Sequence, residues 1–343
     1  MGELRKDPVS ARWVIMNTDR VSGPDDFDVD RTEKKGGVCP FCYGNEHMTP
    51  PEVLCYRENT GVPNSPGWSV RGVPNKFPAL KIEGGLDRQG IGIFDMMNGV
   101  GAHEVIIENP DHYKEMPDLE ISHTERIIRA YRERFNELKK DTRFKYLLIF
   151  KNYGASAGAS LEHGHTQLIA LPIVPKRAVD SLQGAAKYYA ERDRCVFCDM
   201  IRQELQDKIR IVTENDMFLA YCPFVARFPY EVKIIPKAHR PDFGNISNPE
   251  ITNFAKIMKD VLTRIRTVLH DPPYNFTIST SPIDGHEYDR EDYHWRCNIF
   301  PKLAKVAGFE WGSGFYINPT PPECSVKILR EAAGVVAHQK TAR

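Results

Sequence analysis

Net charge is the first thing this sequence lacks. Its 343 residues carry 46 Lys plus Arg against 46 Asp plus Glu, a formal balance of zero, so no overall field draws the chain to nucleic acid or to an anionic membrane. No stretch reaches the roughly 20 consecutive apolar residues that a membrane span needs. The opening segment MGELRKDPVSARWVIM carries charges where a secretory signal would carry an apolar core. The expectation is a cytoplasmic protein with neither a membrane nor a nucleic-acid partner. Cysteine is also sparse, eight in all, yet four of them form the pairs CPFC (39–42) and CVFC (195–198). In a large chain of a reducing compartment such pairs favour metal binding over disulfides. Cys55, Cys222, Cys297 and Cys324 read as small buried residues. Hydrophobic residues are plentiful at 41%, and two domains of ordinary size can build cores from that supply.

The chain repeats itself. GAHEVIIENPDH (101–112) set without a gap above FPYEVKIIPKAH (228–239) aligns Glu104, Val105, Ile107 and His112 with Glu231, Val232, Ile234 and His239. The cysteine pairs precede these segments in the same order, and HGHTQ (163–167) is matched later by HWRCN (294–298). Between them lie two helical patterns, 121–140 and 248–269. In the first, Ile127, Ile128, Tyr131, Phe135 and Leu138 hold an apolar stripe at helical spacing. FKYLLIF (144–150) and YNFTIST (274–280) read as the strands that follow. The pattern implies an α+β fold of two tandem halves, each strand, strand, helix, strand, strand, with residues 1–177 in one and 190–334 in the other. The halves meet in the polar segment Lys176 to Arg194.

Each half offers four soft ligands. Cys39, Cys42, His112 and His163 make one Cys₂His₂ set; Cys195, Cys198, His239 and His294 make the other. Two such sets in register point to two zinc ions per chain, each pinning a loop to a strand. His103 falls opposite Tyr230 in the gap-free repeat and reads as structural. In an extended strand His163, His165 and Gln167 would share one face, which makes HGHTQ a candidate site.

HGHTQ, with DPVSARWVIMNTDR (7–20), CPFCYGNE (39–46), VPNKFPAL (73–80), FKNYGASAGASLEHGHTQ (150–167) and GFEWGSGFYINPTPPE (308–323), resembles the galactose-1-phosphate uridylyltransferase branch of the histidine-triad superfamily. The resemblance implies two histidine-triad-like halves, each an antiparallel sheet with helices, in a homodimer that handles a nucleotide sugar and a sugar 1-phosphate. It makes His165 the nucleophile, attacking the α-phosphorus to give a nucleotidyl-histidine in a ping-pong cycle. Gln167 stands where hydrolases of the superfamily have a third histidine; an amide donates to a phosphoryl oxygen but protonates a leaving group poorly. The resemblance assigns Arg20 and Asn75 to phosphate and nucleotide contacts, and Asn152 and Ser160, flanking a Gly-rich run, to the diphosphate. Phe309 and Trp311 are left to pack on the base or the core. Arg296 and Asn298 replace His165 and Gln167 in the second half, which implies one catalytic centre per chain.

Galactose-processing members carry a Lys-Phe-x-Val-Gly-Tyr-Glu segment where this chain has Gly308-Phe309-Glu310-Trp311-Gly312-Ser313-Gly314. Three functions therefore stand: a UDP-glucose–hexose-1-phosphate uridylyltransferase; an ADP-glucose phosphorylase taking phosphate as acceptor; and, from another class, a non-catalytic zinc protein that binds nucleotides or RNA. The scarcity of interleaved basic and aromatic residues counts against the last.

Overall fold

Alternating burial sets the architecture. The computed structural model describes residues 2–29, 34–57 and 61–341. Ten strands form one antiparallel sheet: β3 (Leu54–Arg57), β4 (Trp68–Pro74), β7 (Ala102–Ile107), β8 (Tyr146–Tyr153), β9 (His165–Leu171), β10 (Ile211–Glu214), β11 (Phe218–Tyr221), β12 (Val232–Pro236), β13 (Tyr274–Ser279) and β14 (Arg296–Pro301). Their spatial order is β10-β11-β12-β14-β13-β8-β9-β7-β4-β3. Outward from the central β8–β13 pair, β9, β7, β4, β3 mirror β14, β12, β11, β10. The sequence repeat is therefore a structural duplication, and Phe276 opposite Lys151 joins the two half-sheets into one.

Helices cover one face of that sheet. α1 (Ile121–Leu138) and α4 (Asn248–Val268) bury the expected stripes, Ile127, Tyr131 and Phe135 on one, Phe254, Val261 and Ile265 on the other. α4 starts at a capping box in which Ser247 Oγ accepts from the Glu250 amide and the Glu250 carboxylate accepts from the Ser247 amide, satisfying two donors that a helix start leaves open. Leu168, Ala170, Ile106, Val232, Ile234 and Ile299 meet these helices. The neighbours of these residues along each strand point to the opposite face.

Smaller elements complete the molecule. β1 (Glu3–Lys6) pairs with β2 (Trp13–Met16), which pairs in parallel with β15 (Tyr316–Asn318). β5 (Gln89–Ile91) and β6 (Phe94–Met96) form an isolated hairpin, while α5 (Gly308–Ser313) and α6 (Pro322–Thr341) flank β15. The described helices include none long and apolar enough to cross a membrane.

Three features differ from the sequence reading. Each half has three strands before its helix, not two, because the short edge strands β3 and β10 carry little alternation. The polar junction is helix α2 (Lys176–Arg192), followed by α3 (Val196–Asp207). Its buried face is made of the small residues Ala178, Ser181 and Ala185, and Gly184 lies so close to the Val9 carbonyl that a Cβ would stand 1.6 Å from it. Third, the gap-free repeat is one residue out of register within the strand. Val105 pairs with Gln167, but Lys233, not Val232, pairs with Asn298. Since a slip of one residue exchanges faces, Val105 packs on the face away from the helices while Val232 packs against them. His103 is thus the counterpart of Glu231, not of Tyr230.

Candidate active site and metal centres

β9 begins at His165, so His165 and Gln167 share the face away from the helices, while Thr166 and Leu168 enter the helical core. His163 lies just before the strand and turns its ring toward the cysteines. Its Nδ1 is 3.8 Å from Cys39 Sγ and 3.5 Å from Cys42 Sγ, and His112 Nδ1 is 3.4 Å from Cys42 Sγ. Burial pushes His163 down to about 4 and Cys42, beside Cys39, up to about 11. The ring is therefore a neutral donor, and a nearby cation would be needed to favour the thiolate. His163 Nε2 donates to the Asn109 carbonyl at 2.7 Å, which leaves Nδ1 with its lone pair. Asn109 also accepts from the Asp111 amide and donates to the Lys114 carbonyl, closing the turn that presents His112.

The second set is assembled differently. Cys195 caps α3 and Cys198 sits on its first turn. Cys198 Sγ lies 3.4 Å from His239 Nδ1 and 3.3 Å from His294 Nε2. Hydrogen bonds from the Cys195 thiol first, then from His239 and His294, hold Cys198 down at about 2, and the bond to Cys198 raises His239. In each set the four ligand atoms lie within 4.8 Å of one another, so each could hold a metal ion.

His165 is tied directly to the first set. Its Nδ1 donates to the backbone carbonyl of His163 at 2.8 Å, leaving the lone pair on Nε2. Burial holds its ring below the ordinary imidazole value, so it is neutral near pH 7. The Phe41 ring packs edge-on against both imidazoles. Gly164 between them admits no side chain freely: a Cβ would stand 3.1 Å from the Glu115 carboxylate.

His165, Asn152 and Ser160 line one cleft of about 460 Å³. Its floor includes the turn Ala155–Ala157, bracketed by Gly154 and Gly158 at φ 84° and 88°, a conformation open to glycine at little cost. Asn275 fixes this loop by donating to Asn152 Oδ1 and to the Ala157 carbonyl, both at 2.8 Å. Arg20, Phe309 and Trp311 do not line the cleft. Phe309 and Trp311 sit on α5, the latter 78% exposed.

Two groups were missed by sequence reasoning. The Ala79 amide donates to His103 Nδ1 at 3.2 Å, so His103 carries its proton on Nε2 and donates it to Gln167 Oε1 at 2.8 Å. That bond turns the Gln167 amide NH₂ away from His103. The Asn75 amide nitrogen, itself a donor, stands 3.2 Å from the same N–H without bonding to it, while Asn75 Oδ1 accepts from the Phe77 amide; Asn75 does not line the cleft. Beneath β9, Lys151 is buried between Glu108 at 2.5 Å and Glu115 at 2.7 Å. Burial alone would lower Lys151, but the two carboxylates outweigh it and hold it well above the ordinary lysine value. Thr166 donates to Glu108 at 2.6 Å, linking the network to the residue beside His165. A lysine inside the apolar alternation of FKYLLIFKNY was the available signal.

The family described as galactose-1-phosphate uridyl transferase matches through its N-terminal domain at residues 5–175 and its C-terminal domain at residues 181–316. The ADP-glucose phosphorylase of Arabidopsis thaliana is 36% identical over 336 residues, 96% of this chain and 93% of the relative. The galactose-1-phosphate uridylyltransferase of Thermotoga maritima is 30% identical over 339 residues, 96% and 98% of the two chains. The crystal structure of the Arabidopsis phosphorylase with bound ADP-glucose superposes with a TM-score of 0.80 at 34% identity, covering 96% of this chain and 98% of that one. A uridylyltransferase structure gives 0.74 at 26%, covering 97% and 98%.

Proposed function

The chain belongs to the galactose-1-phosphate uridyl transferase family and is a nucleotidyltransferase, and on that premise we propose that His165 carries the nucleotidyl group. Nε2 attacks the α-phosphorus of a nucleoside diphosphate sugar, the bond to the bridging oxygen breaks, and sugar 1-phosphate leaves. A phosphate oxygen of the acceptor then attacks the same phosphorus and frees the imidazole. The observation that carries this is the Nδ1–H bond to the His163 carbonyl, which fixes the tautomer a nucleophile requires. Gln167, its oxygen held by His103, offers its NH₂ to the phosphoryl oxygen as charge develops there. Asn152 and Ser160 contact the diphosphate, and Asn75 acts from the His103 side.

The favoured reading is UDP-glucose–hexose-1-phosphate exchange, as in the uridylyltransferase relatives. The second, ADP-glucose phosphorolysis, is favoured by one observation: the hexose-contacting segment is replaced by Gly308 to Gly314, while the Arabidopsis phosphorylase is 36% identical. Offering α-phosphate-labelled UDP-glucose and ADP-glucose separately, then chasing the adduct with galactose 1-phosphate or phosphate, decides between them. Labelling of His165→Ala by either donor would refute the nucleophile.

Both Cys₂His₂ sets are read as structural zinc sites, two ions per chain. A tetrahedron with Zn–N of about 2.0 Å and Zn–S of about 2.3 Å has edges of about 3.3 to 3.8 Å, the range of the separations above. Zinc would supply charge that keeps the thiolates ionised; the chain's own part is to hold the His163 carbonyl against His165. Residues 1–177 form the catalytic half and 190–334 the degenerate one. Arg20, Phe309 and Trp311 stand outside the cleft of their own chain, which supports a homodimer in which a second copy brings them to the nucleotide sugar.

A further inference from the structure

The second half has a cavity of about 450 Å³ on the face where the first half has its cleft. Arg296 and Asn298 stand in it at the positions of His165 and Gln167. Six cationic and three acidic side chains line this cavity, an excess of three positive charges. The cleft of His165 is lined by two of each, Lys35 and Lys151 against Glu115 and Glu162. The charge excess is thus particular to the second half.

The three acids each stand against one cation and leave three arginines over. Lys176 pairs with Asp180, Arg227 lies 3.5 Å from Glu231, and Asp7 is the strongest favourable charge acting on Lys233. Arg12, Arg177 and Arg296 are left with no ion pair among the described residues. Arg296 is nonetheless held rigidly. It donates to Ser181 Oγ at 2.9 Å and to the His294 carbonyl at 3.2 Å, with its plane over the Phe197 ring at 4.7 Å. Arg177 reaches the Tyr316 hydroxyl at 3.5 Å, and Arg12 lies over that ring at 5.8 Å.

Gathering like charges at a walled site costs free energy that an anion would offset. Burial pushes Arg12 down, and Arg227 and Arg177 push it further. Helix α2 opens on the same wall through Pro175, Lys176 and Arg177; amides of a first turn lack intrahelical acceptors and favour negative charge. Guanidinium groups lining one cavity with such amides match the oxygens of a phosphate, and the volume suits a small metabolite.

We propose that this cavity is a second, non-catalytic binding site for a phosphate-bearing small molecule, with Arg12, Arg177 and Arg296 as its anion contacts. The site does not depend on His165 being the nucleophile. It is tested by equilibrium dialysis of the full-length protein against inorganic phosphate, glucose 1-phosphate and AMP, in wild type and in the double variant Arg12→Gln/Arg177→Gln. The expected result is one fewer bound equivalent per chain in the double variant, or affinity at one site at least tenfold weaker, with labelling of His165 retained. Equal competition by inorganic phosphate identifies the free ion as the ligand; stronger competition by an ester identifies the ester. Diffraction from wild-type crystals soaked in tungstate needs no variant, and density is expected between Arg12, Arg177 and Arg296. Unchanged stoichiometry and affinity in the double variant, or tungstate confined to the His165 cleft, would overturn the proposal.

Discussion

The two halves place the same carbonyl in the same position and give it different work. The His163 carbonyl accepts from His165 Nδ1 at 2.8 Å; the His294 carbonyl accepts from Arg296 at 3.2 Å. Each carbonyl belongs to a histidine of a Cys₂His₂ set, so the scaffold that aims the residue two positions on is present twice. Only one copy aims an imidazole. Arginine stays protonated and has no lone pair to offer phosphorus. The Cys₂His₂ scaffold is thus separable from the imidazole, and it is present in the half that has none.

The two Cys₂His₂ sets also differ in detail. His163 faces its cysteines through Nδ1 and gives Nε2 to Asn109, whereas His294 faces them through Nε2 and its buried Nδ1 has no hydrogen-bond partner. The first set is therefore oriented by the Asn109 carbonyl and coupled to His165, while the second stands beside a cavity rich in positive charge.

The largest expected effect comes from removing the imidazole. His165→Ala should abolish the covalent adduct and lower kcat by at least about 10⁴-fold, whereas Arg296→Met should leave adduct formation intact; single-turnover assays with labelled donor measure both. Next comes metal. Cys42→Ser should lose one zinc and lower kcat by about 100-fold through the His163 carbonyl. Cys198→Ser should lose one zinc with a smaller change in kcat, as read by metal analysis beside kinetics.

A third comparison concerns what lies under the strands. Lys151→Met leaves Glu108 and Glu115 buried without their common partner, which should cost about 3–5 kcal/mol in urea unfolding. Thr280 of the second half only borders such a network, Lys139 held between Asp242 at 2.9 Å and Glu287 at 3.3 Å, so Thr280→Val removes no charge and should cost about 1–2 kcal/mol, the scale of the lost buried hydrogen bonds to Asp242 and from the Phe243 amide. The smallest effect is expected at His103. His103→Ala should lower kcat about tenfold by freeing the Gln167 amide, with the melting temperature nearly unchanged.

Much of this was legible in the sequence because duplication repeats its own evidence. The pairs Cys39–Cys42 and Cys195–Cys198, followed in each half by two histidines in the same order, converge in the fold as two sets of four, and α1 and α4 lie within two residues of the periodic apolar stripes. The ten-stranded continuity was not legible, since pairing of Phe276 with Lys151 depends on contacts between distant segments. The one-residue slip in β12 was hidden because Val-x-Ile is apolar enough for either face. His103 was read as structural for the same reason: the gap-free repeat matched it to Tyr230, and its partners Gln167 and Ala79 are set by sheet register and loop path. Helix α2 was hidden by polar residues on its exposed side, its buried face consisting of small ones.

The most direct test counts nucleotidyl groups. Intact-mass analysis of the protein after reaction with donor in the absence of acceptor should show one nucleoside monophosphate per chain, on the peptide containing His165. Two groups per chain, or a single group on the peptide spanning residues 294–298, would contradict the account.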